Sequence, residues 1–445
     1  MNDSSSTNQS QRFLRILRVF RVLCLAFLAV SILIALAFCF VFSKGGRPGG
    51  GGDFNIRYSE VRCLFDGMDP FKVYTGEIAS DKYGPYNKWT REKPFLPVNG
   101  YVPWEYTYMM PFAALPKIPA SVLWVCLNAA AFLFLLKRGK CLASCHADSV
   151  LKKEFLSSCI LVLSAPIACL FNWGNFGLLL AVAILWMVDA LNRRQDILAG
   201  ILWAFLMSKP QIGLLFAIPI ALRFRWKTAL TAVFVSVAAS IPPAVMCHSN
   251  PIQMTMDILT CSQRGQFCMD LLPAAWAAVF ASGTPQHLFM LGGALLCLVC
   301  CLLLRRASDW SLLLLPPVFV STVWTYGWPH DQCIYALPVF AIGVAACKER
   351  NRTTRNWLLV AMALCGASIL LVNSVAEPTI FSLARRGLAA VLPAEFRGHL
   401  LAPYIAKQPK GVVYSVFAIA KVLAFGAVCC YLSRRPTIRI STATA

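Results

Sequence analysis

The feature that most constrains this chain is a succession of long, nearly uncharged apolar runs. About 20 residues of helix cross a hydrocarbon core of ~30 Å, and ten runs of that order stand out: Val22–Phe42, Ser121–Leu136, Phe155–Phe171, Phe176–Leu191, Thr228–Met246, His287–Leu304, Leu312–Tyr326, Cys333–Ala346, Trp357–Val372 and Val412–Leu432. Hydrophobic residues make up 58% of the 445 and charged ones only 14%, against about 45–50% and a quarter in soluble globular chains. The expected fold is all-α, a polytopic transmembrane helical bundle of about 10–12 membrane segments, the count depending on how segment 197–222 is read.

The formal net charge is +21. In a soluble protein such an excess would point to nucleic acid, but here the basic residues occupy short segments between apolar runs, where they report topology. Arg12–Arg21, Lys137–Lys153, Arg193–Arg194, Arg223–Lys227, Arg305–Arg306, Lys348–Arg355 and Arg434–Arg439 read as cytoplasmic. Segments 44–105 and 172–175, balanced or uncharged, read as external. The alternation predicts cytoplasmic tails at 1–18 and 433–445, one integral membrane domain over 19–432, and a multi-pass protein of the cell (inner) membrane. The first run is too long for a cleaved signal, and Ser43–Gly46 lacks a small-x-small cleavage pattern. Most of the 19 cysteines fall inside apolar runs, where cysteine is a small apolar residue. Cys261 and Cys268 share one external loop, and no Cys/His spacing resembles a zinc site.

Two segments depart from simple spans. After the Gly-rich stretch Gly45–Gly52, Phe54, Tyr58, Val61 and Phe65 follow close to helical spacing, with Asp53 at the N-cap position and Gly67 and Pro70 as stops. This predicts an external amphipathic helix with its apolar face on the membrane surface. The second, Ile197–Leu222, is cut into two halves by Ser208-Lys209-Pro210-Gln211 and flanked by basic clusters on both sides. Each half spans only ~18 Å as a helix. A broken pair whose tip reaches a wet cavity fits the charges better than one kinked span, which would place the basic loops after it outside.

On that topology three polar groups share the external face: Asp53 with Tyr58, Glu60, Asp66 and Asp69; Lys209 with Gln211; and Trp328-Pro329-His330-Asp331-Gln332. A lysine at membrane depth costs at least ~2.5–3.5 kcal/mol at a helix centre. An anionic headgroup would offset that cost for Lys209; snorkelling or a carboxylate partner would do so as well. Asp53 can cap its helix and also accept a proton from an incoming hydroxyl. His330 reads equally as an interfacial residue, with Asp331 orienting it or capping the next span.

The order of these pieces resembles the polyprenyl-phosphate-sugar-dependent transferases of the GT-C superfamily, glycosyltransferase family 87 in particular. The residues that carry it are Asp53-Phe54 and Tyr58, Leu64-Phe65-Asp66-Gly67-Met68-Asp69-Pro70-Phe71, Tyr101-Val102-Pro103-Trp104-Glu105-Tyr106, Pro111-Phe112, Ala199-Gly200 through Lys209-Pro210-Gln211, and Trp328-Pro329-His330-Asp331. The family's Gly-Gln-x-Asn-x-Leu-Leu motif is matched only loosely by Gly174-Asn175-Phe176-Gly177-Leu178-Leu179, its Gln and Asn displaced or lost.

The resemblance implies a bundle of GT-C type and a mannosyltransferase-like enzyme of the cell envelope. Such an enzyme would move a hexose or pentose from a polyprenyl-phosphate donor to a glycan or lipid-linked acceptor outside the cytoplasm. By the same carry-over Asp53 is the catalytic carboxylate, and Lys209 and His330 lie near the donor phosphate. Tyr58, Glu60, Tyr101, Trp104, Gln211 and Asp331 are candidate substrate contacts. The residues give no support to a metal; a divalent cation on Asp53 and Glu60 is compatible with the superfamily, whose families differ on this point. Two other classes stay open. A carrier or flippase would use Lys209 as a binding charge. A polymerase or ligase of lipid-linked glycans would draw on Arg385, Arg386 and Arg397.

Overall fold

The computed structural model describes residues 52–70, 102–146, 174–256, 286–322, 329–351, 353–362 and 422–434, with a few single positions besides; of Gly52, residues 143–146 and 286–290, Pro329 and His330 it describes the backbone alone. Most of Val22–Phe42, Phe155–Phe171 and the loop through Tyr101 lie outside the described residues, as do Cys261, Cys268, Trp328, Arg385, Arg386 and Arg397. Among the described residues every regular element is helical.

Helix α1 is Gly52–Phe65, α2 Pro103–Ala113, α3 Lys117–His146 and α4 Gly177–Asn192. The interrupted segment follows as α5 Asp196–Leu206, α6 Pro210–Gly213, a 3-10 turn Leu214–Phe216 and α7 Ala217–Leu222; then come α8 Trp226–Met246 and α9 Gln286–Leu303. Short helices α10 Trp310–Leu313 and α11 Leu315–Ser321, a 3-10 turn Pro329–Tyr335 and α12 Ala336–Lys348 complete the set. Among the described residues three stretches are long and apolar enough to cross a membrane: Lys117–Leu142, Trp226–Met246 and Asp331–Lys348. The last is 89% buried within the protein and the second only 22%. Asp331–Lys348 is therefore a central element, whereas α8 turns Leu230, Val233, Phe234, Val237 and Val245 outward, as a lipid-facing helix must.

Helix α1 begins at Gly52, so Asp53 sits in its first turn rather than before it. It ends where Gly67 adopts φ +71, and the Asp66 and Gly67 amides bond back to the Cys63 and Leu64 carbonyls at 3.0 Å. The helix differs from the sequence expectation in what surrounds it. Phe54, Tyr58, Val61 and Leu64 are buried, but so are Asn55, Arg57, Ser59 and Glu60 on other faces. Helix α1 is thus packed into the protein against α2, with its charged stripe paired internally rather than hydrated.

The interruption at Lys209 is a reversal of the chain. Proline at 210 removes a donor and holds the preceding residue extended; Lys209 has φ −113 and ψ 89. Beyond it the second half returns along the first. Trp203 Nε1 donates to the Gly213 carbonyl at 2.9 Å, and a Cβ at 213 would lie 2.7 Å from Leu206 O and Met207 N. The two ends meet again, Arg225 Nη1 lying 3.3 Å from Asp196 Oδ1. Helix α5, at eleven residues, is only ~16 Å long. Gly200 seats it on α8, where a Cβ would come within 2.5 Å of Thr231 Cβ.

One predicted span is also divided. Within 312–326 the helix breaks at Leu314; Pro316 and Pro317 lack the amides that would reach the Leu312 and Leu313 carbonyls. The turn carrying His330 and Asp331 is a 3-10 helix leading directly into α12, with Asp331 buried.

Because Gly213 closes on backbone atoms, Gly213→Val should open the hairpin and sharply lower the folded yield and unfolding temperature in detergent. Gly292, where a Cβ meets nothing within 4 Å, is the control, and Gly292→Val should leave both unchanged or improved. Equal tolerance of the two substitutions would contradict the reversal at Lys209.

Candidate functional site

The site is built around a tight turn. Gly174 has φ +70, a conformation that side chains resist, and its carbonyl accepts the Trp124 indole N–H at 2.9 Å. The turn delivers Asn175, 1% exposed, to the start of α4, where its Oδ1 accepts the Gly177 amide at 3.1 Å. That same Oδ1 accepts from Lys209 Nζ at 2.9 Å, and the amide Nδ2 donates to Asp53 Oδ2. Lys209 Nζ also pairs with Asp331 Oδ1. The side-chain amide therefore joins the first turn of α1 to the tip of the broken hairpin, and Lys209 joins that tip to the turn before α12.

Lys209 and Asp331 are each 2% exposed. A buried ammonium is tolerable only with a carboxylate and further hydrogen bonds around it, which Asp331 and Asn175 supply. Asp53 remains partly exposed, so its carboxyl has a side from which a substrate can approach.

A second charged group lies behind the first. Asp53, Arg57 and Glu60 occupy one stripe of α1. Arg57 pairs with Glu60 and places its Nε 3.3 Å from Glu105 Oε1 of α2, all three being fully enclosed. Burial pushes the Glu105 carboxyl well above the ordinary range; the Arg57 charge opposes this, the Glu60 charge adds to it, and Lys209 and Asp53 act more weakly in the same two senses. Lys117, at the start of α3, rests its ammonium 4.6 Å above the Phe54 ring and 4.4 Å above that of Tyr58, both within cation–π range.

The other anticipated residues fall into two sets. Tyr58 is buried, its hydroxyl donating to the Leu115 carbonyl at 2.8 Å, and Glu60 is turned to Arg57, so both brace α1 in this conformation. Trp104 is partly exposed with its indole N–H buried and unbonded, and Gln211 is partly exposed on α6; either has a group to offer a ligand. His330 belongs to the 3-10 turn beside Asp331, and Tyr101 lies outside the described residues. Among the described residues no group of three His, Cys, Asp or Glu side chains is placed to hold a metal ion. Arg57 and Glu105 were not anticipated as site residues, and Asn175 was met only within the loose Gly174–Leu179 motif match, with no role assigned to it.

Next to the polar cluster is a cavity of about 460 Å³ whose lining includes Tyr108, Phe112, Trp124, Phe176, Trp186 and Phe205. Its lining is hydrocarbon and aromatic apart from the Tyr108 hydroxyl and the indole nitrogens. Trp124 and Phe176 belong to both places: they pack edge to face at 4.8 Å, Trp124 stacks on Phe54 at 5.3 Å, and Phe176 follows Asn175.

The sequence profile of Glycosyltransferase family 87 matches residues 101–374, more than half of the chain. The chain belongs to that family and is a membrane glycosyltransferase of GT-C type. No curated protein and no solved structure matches it significantly. Trp104, Asn175, Lys209, Gln211, His330 and Asp331 fall inside the matched range, while Asp53, Tyr58 and Glu60 precede it.

The buried Arg57–Glu60–Glu105 group makes an asymmetric prediction. Glu105→Gln replaces a carboxyl held toward its neutral form and should cost under about 1 kcal/mol of stability. Glu60→Gln strips a buried guanidinium of its closest partner and should cost about 3–5 kcal/mol. Thermal unfolding of the purified variants in detergent checks the order; equal costs would mean that both carboxyls are ionised.

Proposed function

We propose that this enzyme transfers a mannose-type hexose or a pentose from a polyprenyl-phosphate donor to a glycan or lipid-linked acceptor on the extracytoplasmic face. The single observation that carries the reading is the Asn175 amide, which sets a carboxyl and an ammonium side by side at the edge of an apolar cavity. The acceptor hydroxyl oxygen attacks the anomeric carbon while the bond from that carbon to the lipid phosphate oxygen breaks. The hydroxyl proton passes to Asp53, and the polyprenyl phosphate departs with the bonding electron pair.

Lys209 has three N–H groups. Asn175 and Asp331 take two, and the third meets the phosphate oxygen on which charge accumulates. His330 and the Trp104 indole are proposed as further donors to the sugar phosphate, and Gln211 and Tyr101 as further contacts with substrate. The cavity beside Trp124 and Phe176 takes the first isoprene units, which exchange lipid tails for aromatic walls, so packing rather than removal from water decides the fit. No nucleotide-binding fold is needed, since such a donor arrives through the bilayer.

Incubating membranes that carry the protein with radiolabelled polyprenyl-phosphate sugars tests the reading. Asp53→Asn should insert normally and lose transfer by about 10²-fold or more, the usual worth of a general base. Lys209→Met should lose roughly one to two orders of magnitude, the scale of one charge-assisted contact of ~1.5–3 kcal/mol. Undiminished transfer by Asp53→Asn would remove Asp53 from the role of base, and donor binding without movement of label to any acceptor in the unaltered protein would move the assignment to a carrier.

The lipid arm has its own test. Ala130 lies on the cavity wall and is exposed, so Ala130→Trp should fill the space with little cost to the core. It should raise KM for a long-chain donor several-fold and leave KM for a short-chain, water-soluble analogue unchanged. An equal effect on both donors would place the isoprenoid elsewhere.

A further inference from the structure

Asn175 is held too completely to be a spacer. Its Oδ1 accepts from two donors, the Gly177 amide at 3.1 Å and Lys209 Nζ at 2.9 Å. With both acceptor positions filled, the amide cannot flip without setting its NH2 against two donors, which fixes Nδ2 toward Asp53. The Trp124 bond to the Gly174 carbonyl and the positive φ of Gly174 fix the backbone beneath it. The side chain thus faces Asp53 with an N–H that has a single orientation.

The geometry points to Asn175 as a positioning residue of the transfer reaction, one whose N–H holds the Asp53 carboxyl in its proton-accepting orientation while its oxygen anchors Lys209. This rests on the general-base reading of Asp53 given above. The two reacting ends of the proposed mechanism, base and phosphate cation, are then set by a single rigid group. Any displacement of the 174–177 turn moves both together. Asn175 bonds both Asp53 and Lys209, whereas Asp331 pairs with Lys209, and Arg57 with Glu60 and Glu105.

Asn175→Asp separates this role from a scaffolding one. It keeps an oxygen for Gly177 N and Lys209, the bonds that shape the turn, and replaces only the donor to Asp53 with a second carboxyl. The added carboxyl is costly in any case beside Asp53, so the two backgrounds decide: if Asn175 merely holds the turn, kcat should fall by the same factor with and without Asp53. If it positions Asp53, kcat should fall about 30-fold or more, with the donor KM within about threefold of wild type. The same substitution placed in an Asp53→Asn background should cost less than about threefold, because its effect runs through a carboxyl already removed.

A wild-type kcat in Asn175→Asp, or an equal loss in both backgrounds, would overturn the proposal. Should that variant fail to fold, Asn175→Ala in the same two backgrounds makes the discrimination: non-additive losses support it and additive ones refute it. Near-normal transfer by Asp53→Asn alone would instead refute the general-base assignment, so the two failures are distinguishable.

Discussion

An ammonium sealed from water has to be compensated where it sits, and Lys209 is the group whose compensation organises this protein. At 2% exposure it would be intolerable alone; the effective penalty for burying an ion is several kcal/mol. Asp331 supplies the opposite charge and Asn175 the second acceptor. Each comes from a different part of the chain, so satisfying one lysine brings together α4, the hairpin tip and the turn before α12. Asp53 joins because the same amide has N–H groups to place. The proposed catalytic arrangement and the packing of the described central helices therefore share the same contacts.

The Arg57–Glu60–Glu105 group obeys the same rule on the other side of α1. Three ionisable side chains inside a membrane protein would normally mark a conduit or a site. Here they close on one another across α1 and α2, and burial drives Glu105 toward its neutral form. A shift of Glu105 toward its neutral form moves the group in the direction of one cation matched to one anion, a less costly arrangement for enclosed charges. The helix that bears the proposed base is thus held by charge pairing as well as by Phe54, Val61 and Leu64.

Much of this was legible in the residues, and the exceptions have physical reasons. Charge alternation and the Pro210 break located the hairpin tip, because short half-helices and flanking arginines carry their meaning locally. The same sidedness brought Asp53, Lys209 and Asp331 into one region before any contact was known. Asn175 escaped because an asparagine in a loop is uninformative until its partners, 122 residues upstream for Asp53 and 34 downstream for Lys209, are known. Helix α1 misled for a related reason. The apolar spacing of Phe54, Tyr58 and Val61 identified one face, and nothing local says that Arg57 and Glu60 find Glu105 rather than water. The split at Leu314 was readable from Pro316-Pro317 and was obscured by the apolar run around them.

The position of Lys209 is also set from the opposite end of the hairpin. Its two ends are clasped by Arg225 to Asp196, and Thr228 donates to the same carboxylate at 3.0 Å. Arg223 bonds the Arg305 carbonyl at 2.9 Å, and Asn192 donates to Asp309 at 3.0 Å, tying the base to the segment between α9 and α10. The basic residues that read as a topology signal are in part the clasp itself. With Gly200 pressed against Thr231 and Gly213 against Leu206, little slack remains along the ~16 Å between clasp and tip. A well-packed element of this kind transmits displacement rather than absorbing it. The clasp, though it touches no substrate, therefore helps determine where the ammonium meets the amide of Asn175.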